Sequence, residues 1–176
     1  NAAGAVGAGI VDEGDALLSL GTSGVIFVAG SEFRSNPDSA AHAFCHALPG
    51  RWHLMSVMLS AASCVDWACQ ATGTPSAEQM IRLAEQDAGL ACKEVFLPYL
   101  SGERTPHNNP YASGVLFGLD HDSSKGRIAQ AVLEGVAFGM ADGFDALLSH
   151  MWAVTLTGAP KPAAMQKIED LENSAR

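Results

Sequence analysis

The sequence predicts a layered α/β domain, and three observations lead to that prediction. Apolar residues make up 48% of the 176 residues and charged residues only 16%, a balance typical of a packed globular domain. Short apolar runs bounded by glycine and proline predict β-hairpins in the first half. Apolar residues at helical spacing predict a long helix near the end. A chain of this length is expected to form one domain with its own core.

The first half is predicted to contain one short helix and two β-hairpins. Residues 1–11 are rich in Ala and Gly, which favours a tightly packed helix that turns into a loop at 12–15. Short apolar runs then flank two turns, Gly21-Thr22-Ser23-Gly24 and Pro49-Gly50, and such turns between apolar runs are typical of hairpins. The predicted strands are 16–20, 25–29, 43–48 and 52–57.

The second half is predicted to contain helices and short strands around one long loop. A helix over 60–72 is expected to end at Gly73, and Ser76 suits the N-cap of a helix that ends near residue 88. The loop at 101–113 is polar, and a loop this long inside a compact domain is more often functional than idle. The remaining predicted strands are 95–97, 114–119 and 154–156, and the long helix is 125–150, with Ile128, Val132, Val136 and Met140 on one face.

Charge and hydropathy exclude two classes of partner. The formal net charge is −9, so nucleic-acid binding is not expected, because a phosphate backbone requires Lys and Arg. Any bound phosphate would have to be held mainly by backbone N–H groups, helix N-termini or a metal. The sequence has no apolar run of roughly 18 residues, the minimum for a membrane helix, and no membrane partner is expected.

The cysteine pattern favours reduced thiols. None of the four cysteines stands at Cys-x-x-Cys spacing, and no segment resembles a signal peptide. Mostly buried, reduced thiols in a cytoplasmic protein are therefore expected. The four are Cys45, Cys64, Cys69 and Cys92.

The sharpest local motif is the turn at residues 20–24, Leu-Gly-Thr-Ser-Gly. A tight turn with two glycines exposes consecutive backbone N–H groups, and the hydroxyls of Thr22 and Ser23 add two donors. Such a turn can hold a phosphate oxygen without a cationic side chain, as an acidic phosphate-binding domain requires. An ordinary hairpin turn uses the same residue types, so the pentapeptide alone leaves both interpretations open.

Several segments resemble one enzyme family. Residues 96–110, FLPYLSGERTPHNNP, are similar to a loop of the xylulokinases, and residues 52–58 are typical of bacterial members of that group. Residues 114–119 and 131–135 resemble the C-terminal signature of the FGGY carbohydrate kinases. Residues 20–24 are similar to the second phosphate-binding hairpin of the actin-like ATPases. Together these segments cover most of the chain.

The resemblance implies both a fold and an activity. The implied fold is the incomplete C-terminal lobe of an actin-like, ribonuclease H-like ATPase, with a truncated nucleotide-binding domain over 1–158 and a polar tail or helix over 159–176. The implied activity is transfer of the γ-phosphate of ATP to D-xylulose, giving xylulose 5-phosphate, with Mg²⁺ in the cleft between two lobes. A homodimer is expected because family enzymes are often dimers.

The resemblance also implies site residues. Gly21, Thr22 and Ser23 match the hairpin that contacts the terminal phosphates, and Gly118 and Gly158 match glycines near the nucleotide. No catalytic residue is assigned within the chain. The family's aspartate base belongs to a Gly-Gly-Asp segment, and the match of residues 1–4 to the segment that follows it places the expected base immediately before Asn1.

The polar loop contributes two further candidates, Glu103 and Arg104, which are expected to lie at the cleft. Arg104 would be a natural partner for an anion. The alternative is a salt bridge from Arg104 to Glu103 or to another acid, which would only hold the loop in place. The sequence leaves these two interpretations open.

Two other functions remain open alongside the xylulose kinase. One is a kinase of the same family that acts on another sugar or polyol, because most sugar-reading residues belong to the other lobe. The second is a catalytically inert actin-like fragment or binding module, given the missing aspartate. Ala159 and Pro160 stand where the family has glycines, and a Cβ and a proline ring there would crowd an adenine.

Metal binding by the histidines is not expected. His42 and His46 have i,i+4 spacing and stand near His53 and Cys45, but they lie in a region predicted to be strands. In a strand that spacing separates the two side chains, and no second pair completes a ligand set.

Overall fold

The computed structural model describes residues 1–87 and 92–151, and these contain four helices and six strands. The predicted strand at 154–156, the tail at 159–176 and Gly158 lie outside the described residues. In chain order the elements are α1 (Ala2–Gly7), β1 (Ala16–Leu20), β2 (Gly24–Gly30), β3 (His42–Cys45), β4 (Trp52–Met58), α2 (Ala62–Thr72), α3 (Ala77–Asp87), β5 (Val95–Leu97), β6 (Val115–Phe117) and α4 (Lys125–Met151).

The first predicted helix is present but is shorter and less packed than expected. Asn1 stands at the N-cap of α1, and its carbonyl accepts a hydrogen bond of 2.8 Å from the Ala5 amide. The Asn1 side chain does not cap the helix, and its Nδ2 lies 3.1 Å from the Met55 Sδ of β4. Only Ala5 of α1 is buried, so the expectation of tight packing over residues 1–11 is wrong for most of the segment. Small side chains permit close packing, but one turn and a half of helix has only one face against the sheet.

Both predicted hairpins are confirmed, and together they form one four-stranded sheet. The strand order is β1-β2-β4-β3 and each neighbouring pair is antiparallel. The second hairpin corrects one boundary, because β3 ends at Cys45 and not at residue 48. His46 leaves the strand, and its ring bonds the carbonyl oxygen of Ile10 and the amide of Leu48, each at 3.2 Å.

The predicted caps of α2 and α3 are confirmed. Gly73 adopts the left-handed conformation (φ 66°) after the last residue of α2, as a glycine C-cap requires. The Ser76 Oγ accepts a hydrogen bond of 3.2 Å from the amide of Gln79 at the start of α3. The start of α2 is two residues later than predicted, at Ala62.

Helix α4 packs across one face of the sheet and carries the predicted apolar stripe. Val132 and Met140 are buried, and Ile128 and Val136 are half-buried. Three buried glycines at four-residue spacing let the helix approach its neighbours closely. A Cβ on Gly135 would collide with the Phe96 carbonyl, and a Cβ on Gly143 would collide with the Ser56 hydroxyl. A Cβ on Gly139 would only touch the end of the Met58 side chain. These glycines are Gly135, Gly139 and Gly143.

The core divides into three parts. One lies between α2, α3, α4 and β5, and a second lies between α4 and the sheet. The third lies on the opposite face of the sheet, where α1 covers Phe27 and Ala29. This arrangement leaves the β1–β2 turn at one end of the sheet, beside the start of α2.

Strands β5 and β6 form a separate antiparallel pair, and the polar loop joins them. Both strands were predicted, but only Phe96 of β5 is buried, while Val95 and Leu97 are exposed. Strand β6 ends at Phe117, short of residue 119, because Gly118 has a φ of 85° and leaves the extended conformation. In the part of the chain that the structure describes, no helix is long and apolar enough to cross a membrane.

Candidate phosphate-binding site

The carbonyl side of the β1–β2 turn is fixed to the start of α2. The Gly21 carbonyl accepts a hydrogen bond from the Ala62 amide, and the Thr22 carbonyl accepts one from the Ala61 amide, both at 2.9 Å. The Ser63 hydroxyl adds a third bond, 2.9 Å long, to the Thr22 carbonyl. The first amides of α2 are therefore occupied by the turn, and the turn is held in one position relative to the helix.

The amide side of the turn is open. The Gly21 amide donates to the Ser23 carbonyl at 3.0 Å, so this N–H is used within the turn itself. For the Thr22 and Ser23 amides, and for both hydroxyls, residues 1–87 and 92–151 provide no hydrogen-bond partner. Thr22 is exposed and Ser23 is half-buried. Two amides and two hydroxyls thus remain available to an external acceptor such as a phosphate oxygen.

The polar loop at 101–113 is anchored beside this turn, on the last residues of β4. The Thr105 amide donates to the Val57 carbonyl at 3.1 Å, and the Thr105 Oγ1 accepts from the Val57 amide at 3.2 Å. The same hydroxyl donates to the Ala40 carbonyl at 3.1 Å. Through its two bonds to Val57, Thr105 takes the place that a neighbouring strand would have beside the end of β4. Thr105 is only 1% exposed.

Glu103 is a buried carboxylate that bonds backbone amides. Its Oε1 accepts from the Leu59 amide at 3.1 Å and from the Arg104 amide at 2.7 Å. Its Oε2 is buried and has no hydrogen-bond partner among the described residues. Burial raises the pKa of Glu103, while the two amide bonds and the charges of His107 and Arg104 act in the opposite direction.

Arg104 forms no ion pair within 4 Å with any carboxylate of residues 1–87 and 92–151. Arg104 is an exposed residue. The loop is held by Thr105 and by the bonds from Glu103 to backbone amides, and the salt bridge considered from the sequence is not present in this part of the chain. The prediction that Arg104 binds an anion stays a prediction.

Gly118 has a structural reason of its own to be glycine. Its φ is 85°, and a Cβ on it would lie 2.7 Å from the Lys93 carbonyl oxygen, closer than real Cβ contacts allow. Any other residue would therefore be strained here. This packing accounts for the glycine without a ligand, and its contact with a nucleotide remains a prediction.

Asn1 is the residue immediately after the position at which the family resemblance predicts the catalytic base. It is an exposed residue, and its contacts to Ala5 and Met55 place it at the N-terminal end of α1, against β4. Its amide side chain cannot accept a proton as a carboxylate does, so Asn1 is not itself a candidate for the base. The aspartate expected immediately before Asn1 lies outside the sequence and stays a prediction.

His53 has a packing role. His53 is buried, and its ring stacks on Phe27 with centroids 4.2 Å apart. Burial, with a smaller contribution from His46, lowers the pKa of His53 to about 4. Across the described residues no group of three or more His, Cys, Asp or Glu side chains could hold a metal ion.

All four cysteines are free, but the expectation that most are buried is wrong. Cys64 is buried, Cys69 and Cys92 are half-buried, and Cys45 is exposed. Cys45 is exposed because it ends β3, an edge strand of the sheet.

Sequence reasoning missed Thr105 and the segment at 59–62 that holds the turn. Neither has a motif of its own, because their roles depend on contacts between distant residues: Leu59 and Glu103 are 44 positions apart, and Thr105 is 48 positions from Val57 and 65 from Ala40. The one available signal was the length of the polar loop, which indicated a site without indicating what the loop contacts.

The described residues form a layered α/β lobe, and comparison with known proteins identifies its family. The family model described as "FGGY family of carbohydrate kinases, C-terminal domain" matches residues 16–168. The chain therefore belongs to the FGGY family of carbohydrate kinases, in agreement with the resemblance found in the sequence.

Two curated relatives are similar over most of the chain. The xylulose kinase of Escherichia coli (strain K12) is 61% identical over 145 residues, which cover 82% of this chain and 30% of the relative. The xylulose kinase of Klebsiella pneumoniae is 59% identical over 161 residues, which cover 90% of this chain and 33% of the relative. The chain thus spans about a third of the length of these relatives.

The solved structures confirm the predicted fold class. A crystal structure described as that of a xyloylose kinase from Brucella ovis is 47% identical and superposes with a TM-score of 0.80, over 85% of this chain and 31% of that one. The α/β lobe of the actin-like ATPase type, expected from the resemblance, is therefore the observed fold.

Proposed function

We propose that this chain is the phosphate-binding lobe of an ATP-dependent xylulose kinase, which transfers the γ-phosphate of ATP to D-xylulose and gives xylulose 5-phosphate. The observation that carries the proposal is the open amide side of the turn at Thr22 and Ser23. The names of the relatives that are 61% and 59% identical support xylulose as the acceptor. Since the chain spans about a third of these relatives, the activity of the whole protein is part of the proposal.

The residues of this chain would contribute binding and orientation. The amides of Thr22 and Ser23, with their hydroxyls, would bond the oxygens of the terminal phosphates, and such donors suit a chain of net charge −9. Because the carbonyls of Gly21 and Thr22 are bonded to α2, these donors are already oriented before the ligand binds. Pre-oriented donors stabilise the charge that develops during phosphoryl transfer.

Mg²⁺ would enter with ATP. Protein sites for Mg²⁺ beside a nucleotide often use only one or two carboxylates, and substrate phosphates supply further ligands. We assign the ion to the phosphates of ATP and name no protein ligand for it. Bound there, the ion would neutralise charge on the transferred phosphate.

No residue of this chain is assigned as the base, and the aspartate expected immediately before Asn1 is proposed for that role. Asp15 lies near the turn-bearing strand, but its Oδ2 accepts hydrogen bonds from the Val11 and Asp12 amides at 3.1 and 2.9 Å. These bonds lower the pKa of Asp15, which weakens it as a proton acceptor. It stabilises a turn.

The remaining expectations are proposed with less structural support. Gly118, Gly158 and Arg104 are proposed as further nucleotide or anion contacts, and a homodimer as the assembly. We propose a cytoplasmic location, with which four free cysteines are consistent.

The experiment is to express the protein as naturally encoded and to measure ADP formation with ATP, Mg²⁺ and D-xylulose. We expect turnover that depends on D-xylulose and that exceeds turnover with other ketoses and with polyols. Higher turnover with another sugar or polyol would replace xylulose but keep the kinase. The absence both of turnover and of any ATP-dependent rise in melting temperature would contradict the proposal and would favour an inert binding module.

A further inference from the structure

The link between β4 and α2, residues 59–62, is held from two sides. On one side the Ala61 and Ala62 amides donate to the turn carbonyls of Thr22 and Gly21. On the other side the Leu59 amide donates to the Oε1 of Glu103. The phosphate-binding turn and the buried carboxylate therefore hold the same four-residue segment, and a displacement of one end must be taken up at the other.

A second contact ties this segment to the chain that leads into the polar loop. The Cys64 Sγ donates to the Ser60 carbonyl at 3.3 Å and lies 3.5 Å from the Pro98 carbonyl. Ser60 is 1% exposed and Ala61 is fully buried. The segment thus lies in a closely packed region, where interiors transmit strain because they have little free volume.

Burial of the Glu103 carboxylate is unfavourable, and a single structural hydrogen bond does not explain why a carboxylate is present there. Glu103 is 3% exposed, and its Oε2 is buried without a partner among the described residues. A buried carboxylate oxygen without a hydrogen bond is unfavourable, and native proteins seldom keep such groups without a reason. The favourable part is Oε1, because it accepts two hydrogen bonds from backbone amides, from Arg104 at 2.7 Å and from Leu59 at 3.1 Å.

We propose that Glu103 is a positioning residue for the phosphate-binding turn: its Oε1 fixes the Leu59 amide, and the segment at 59–62 carries that position to the Thr22 and Ser23 amides. The inference rests on the proposed function, because it assigns the turn to the terminal phosphates. Loss of the Oε1 bond lets the segment and the turn shift together. Binding and catalysis by oriented groups are sensitive to displacements of about 1 Å.

The test uses three variants of the protein as naturally encoded. Glu103→Leu removes the acceptor, and Glu103→Gln keeps an Oε1 that can accept from the Leu59 amide. Glu94→Gln is the matched control, because Glu94 is also buried (2% exposed) and its Oε1 accepts from the Ser123 hydroxyl at 2.5 Å, near the start of α4. For each protein the dissociation constants of ATP and adenosine are measured, together with the melting temperature.

The expected result is a loss specific to the phosphates. Glu103→Leu should weaken ATP binding at least tenfold and adenosine binding less than twofold, and Glu103→Gln should recover most of the difference. Glu94→Gln should leave the ratio of the two constants unchanged, whatever its melting temperature. A ratio that stays at the wild-type value in Glu103→Leu, or that changes equally in all three variants, would overturn the inference. If wild-type protein fails to bind ATP, the proposed function fails first.

Hydrogen exchange keeps the test decisive if Glu103→Leu does not fold. In Glu103→Gln the weaker, neutral acceptor should speed exchange of the Leu59 amide, and the exchange of residues 59–62 should quicken with it. The protection that ATP gives to Thr22 and Ser23 should also fall. Faster exchange at Leu59 with unchanged ATP protection at the turn would show that the segment does not transmit its position, and would refute the assignment.

Discussion

At the scale of single residues, the turn has two kinds of hydrogen-bond donor, backbone amides and side-chain hydroxyls. The Thr22 and Ser23 amides belong to the backbone and survive any side-chain substitution, whereas the hydroxyls can be removed one at a time. Neither hydroxyl has a partner among the described residues, so removing it should not disturb the fold. The turn therefore allows the hydroxyl contribution to phosphate binding to be measured by itself.

The Thr22→Val and Ser23→Ala variants should each weaken ATP binding. One hydrogen bond contributes about 1 kcal/mol net, which is roughly fivefold in the dissociation constant. Calorimetric titration with ATP measures the effect, and the melting temperature without ligand should stay close to that of the wild type. Unchanged ATP affinity in both variants would show that the hydroxyls do not face the phosphates.

His53 makes stability depend on pH. Its folded pKa is lowered to about 4, first by burial and then by His46, so between about pH 6.5 and pH 4 the unfolded chain binds more protons than the folded one. The free energy of unfolding should therefore fall as the pH falls through this window, by on the order of 3 kcal/mol for the full shift. Urea denaturation at a series of pH values measures this.

His53→Phe is the control for the pH effect, because a phenyl ring can keep the stack on Phe27 and carries no proton. The slope between pH 6.5 and pH 4 should be smaller in this variant. An equal slope in variant and wild type would assign the pH dependence to other groups.

At the scale of elements, the sequence predicted nearly every helix and strand but missed several ends. The Ser76 and Gly73 caps were found because capping depends on one residue and its immediate neighbours. The start of α2 was placed two residues too early, because the Leu59 and Ala61 amides bond Glu103 and the turn. Those bonds come from distant parts of the chain, and local patterns do not contain them.

In the candidate site, too, the sequence revealed the local feature and missed the contacts between distant residues. The turn at residues 20–24 was found as a local glycine pattern, and its open amides agree with the expectation. The anchoring of the polar loop by Thr105 and Glu103 was not found, because it depends on where that loop lies against β4. Loop-to-strand register over 44 to 48 residues follows from tertiary packing and has no local signature.

Thr105 should be essential for the position of the polar loop. Thr105→Val removes the acceptor for the buried Val57 amide and the donor to the half-buried Ala40 carbonyl. We expect a loss of about 1–3 kcal/mol in the free energy of unfolding, while Thr105→Ser, which keeps the hydroxyl, should lose much less. Equal losses in the two variants would mean that the hydroxyl contributes no more to stability than the methyl group.

The glycines of α4 should differ in their tolerance of a methyl group. Gly143→Ala would push a Cβ into the Ser56 hydroxyl, and overpacking of this kind costs about 1–3 kcal/mol. Gly139→Ala is the control, because the first atom its Cβ would meet is the flexible end of Met58, at 3.1 Å, and alanine favours a helix. Denaturant midpoints should fall for Gly143→Ala and stay near wild type for Gly139→Ala; a similar fall in both would refute the difference in packing.

At the scale of the whole molecule, the chain is acidic, and the groups proposed to bind phosphate are uncharged backbone amides and hydroxyls. The net charge of −9 is compatible with an ATP-dependent kinase because the donors are backbone amides held by α2. The family match over residues 16–168 and the superposition on sugar-kinase structures show the family and the fold of the chain. The proposed division of labour is that this lobe orients phosphates.

The proposed contact between the turn and the phosphates can be measured by NMR, from the signals of the Thr22 and Ser23 backbone amides during titration with ATP and Mg²⁺ and, in parallel, with adenosine. We predict large shifts of both amide resonances with ATP and little change with adenosine, because only ATP carries phosphates. If ATP binds and both resonances stay in place, the amides of Thr22 and Ser23 do not bind its phosphates.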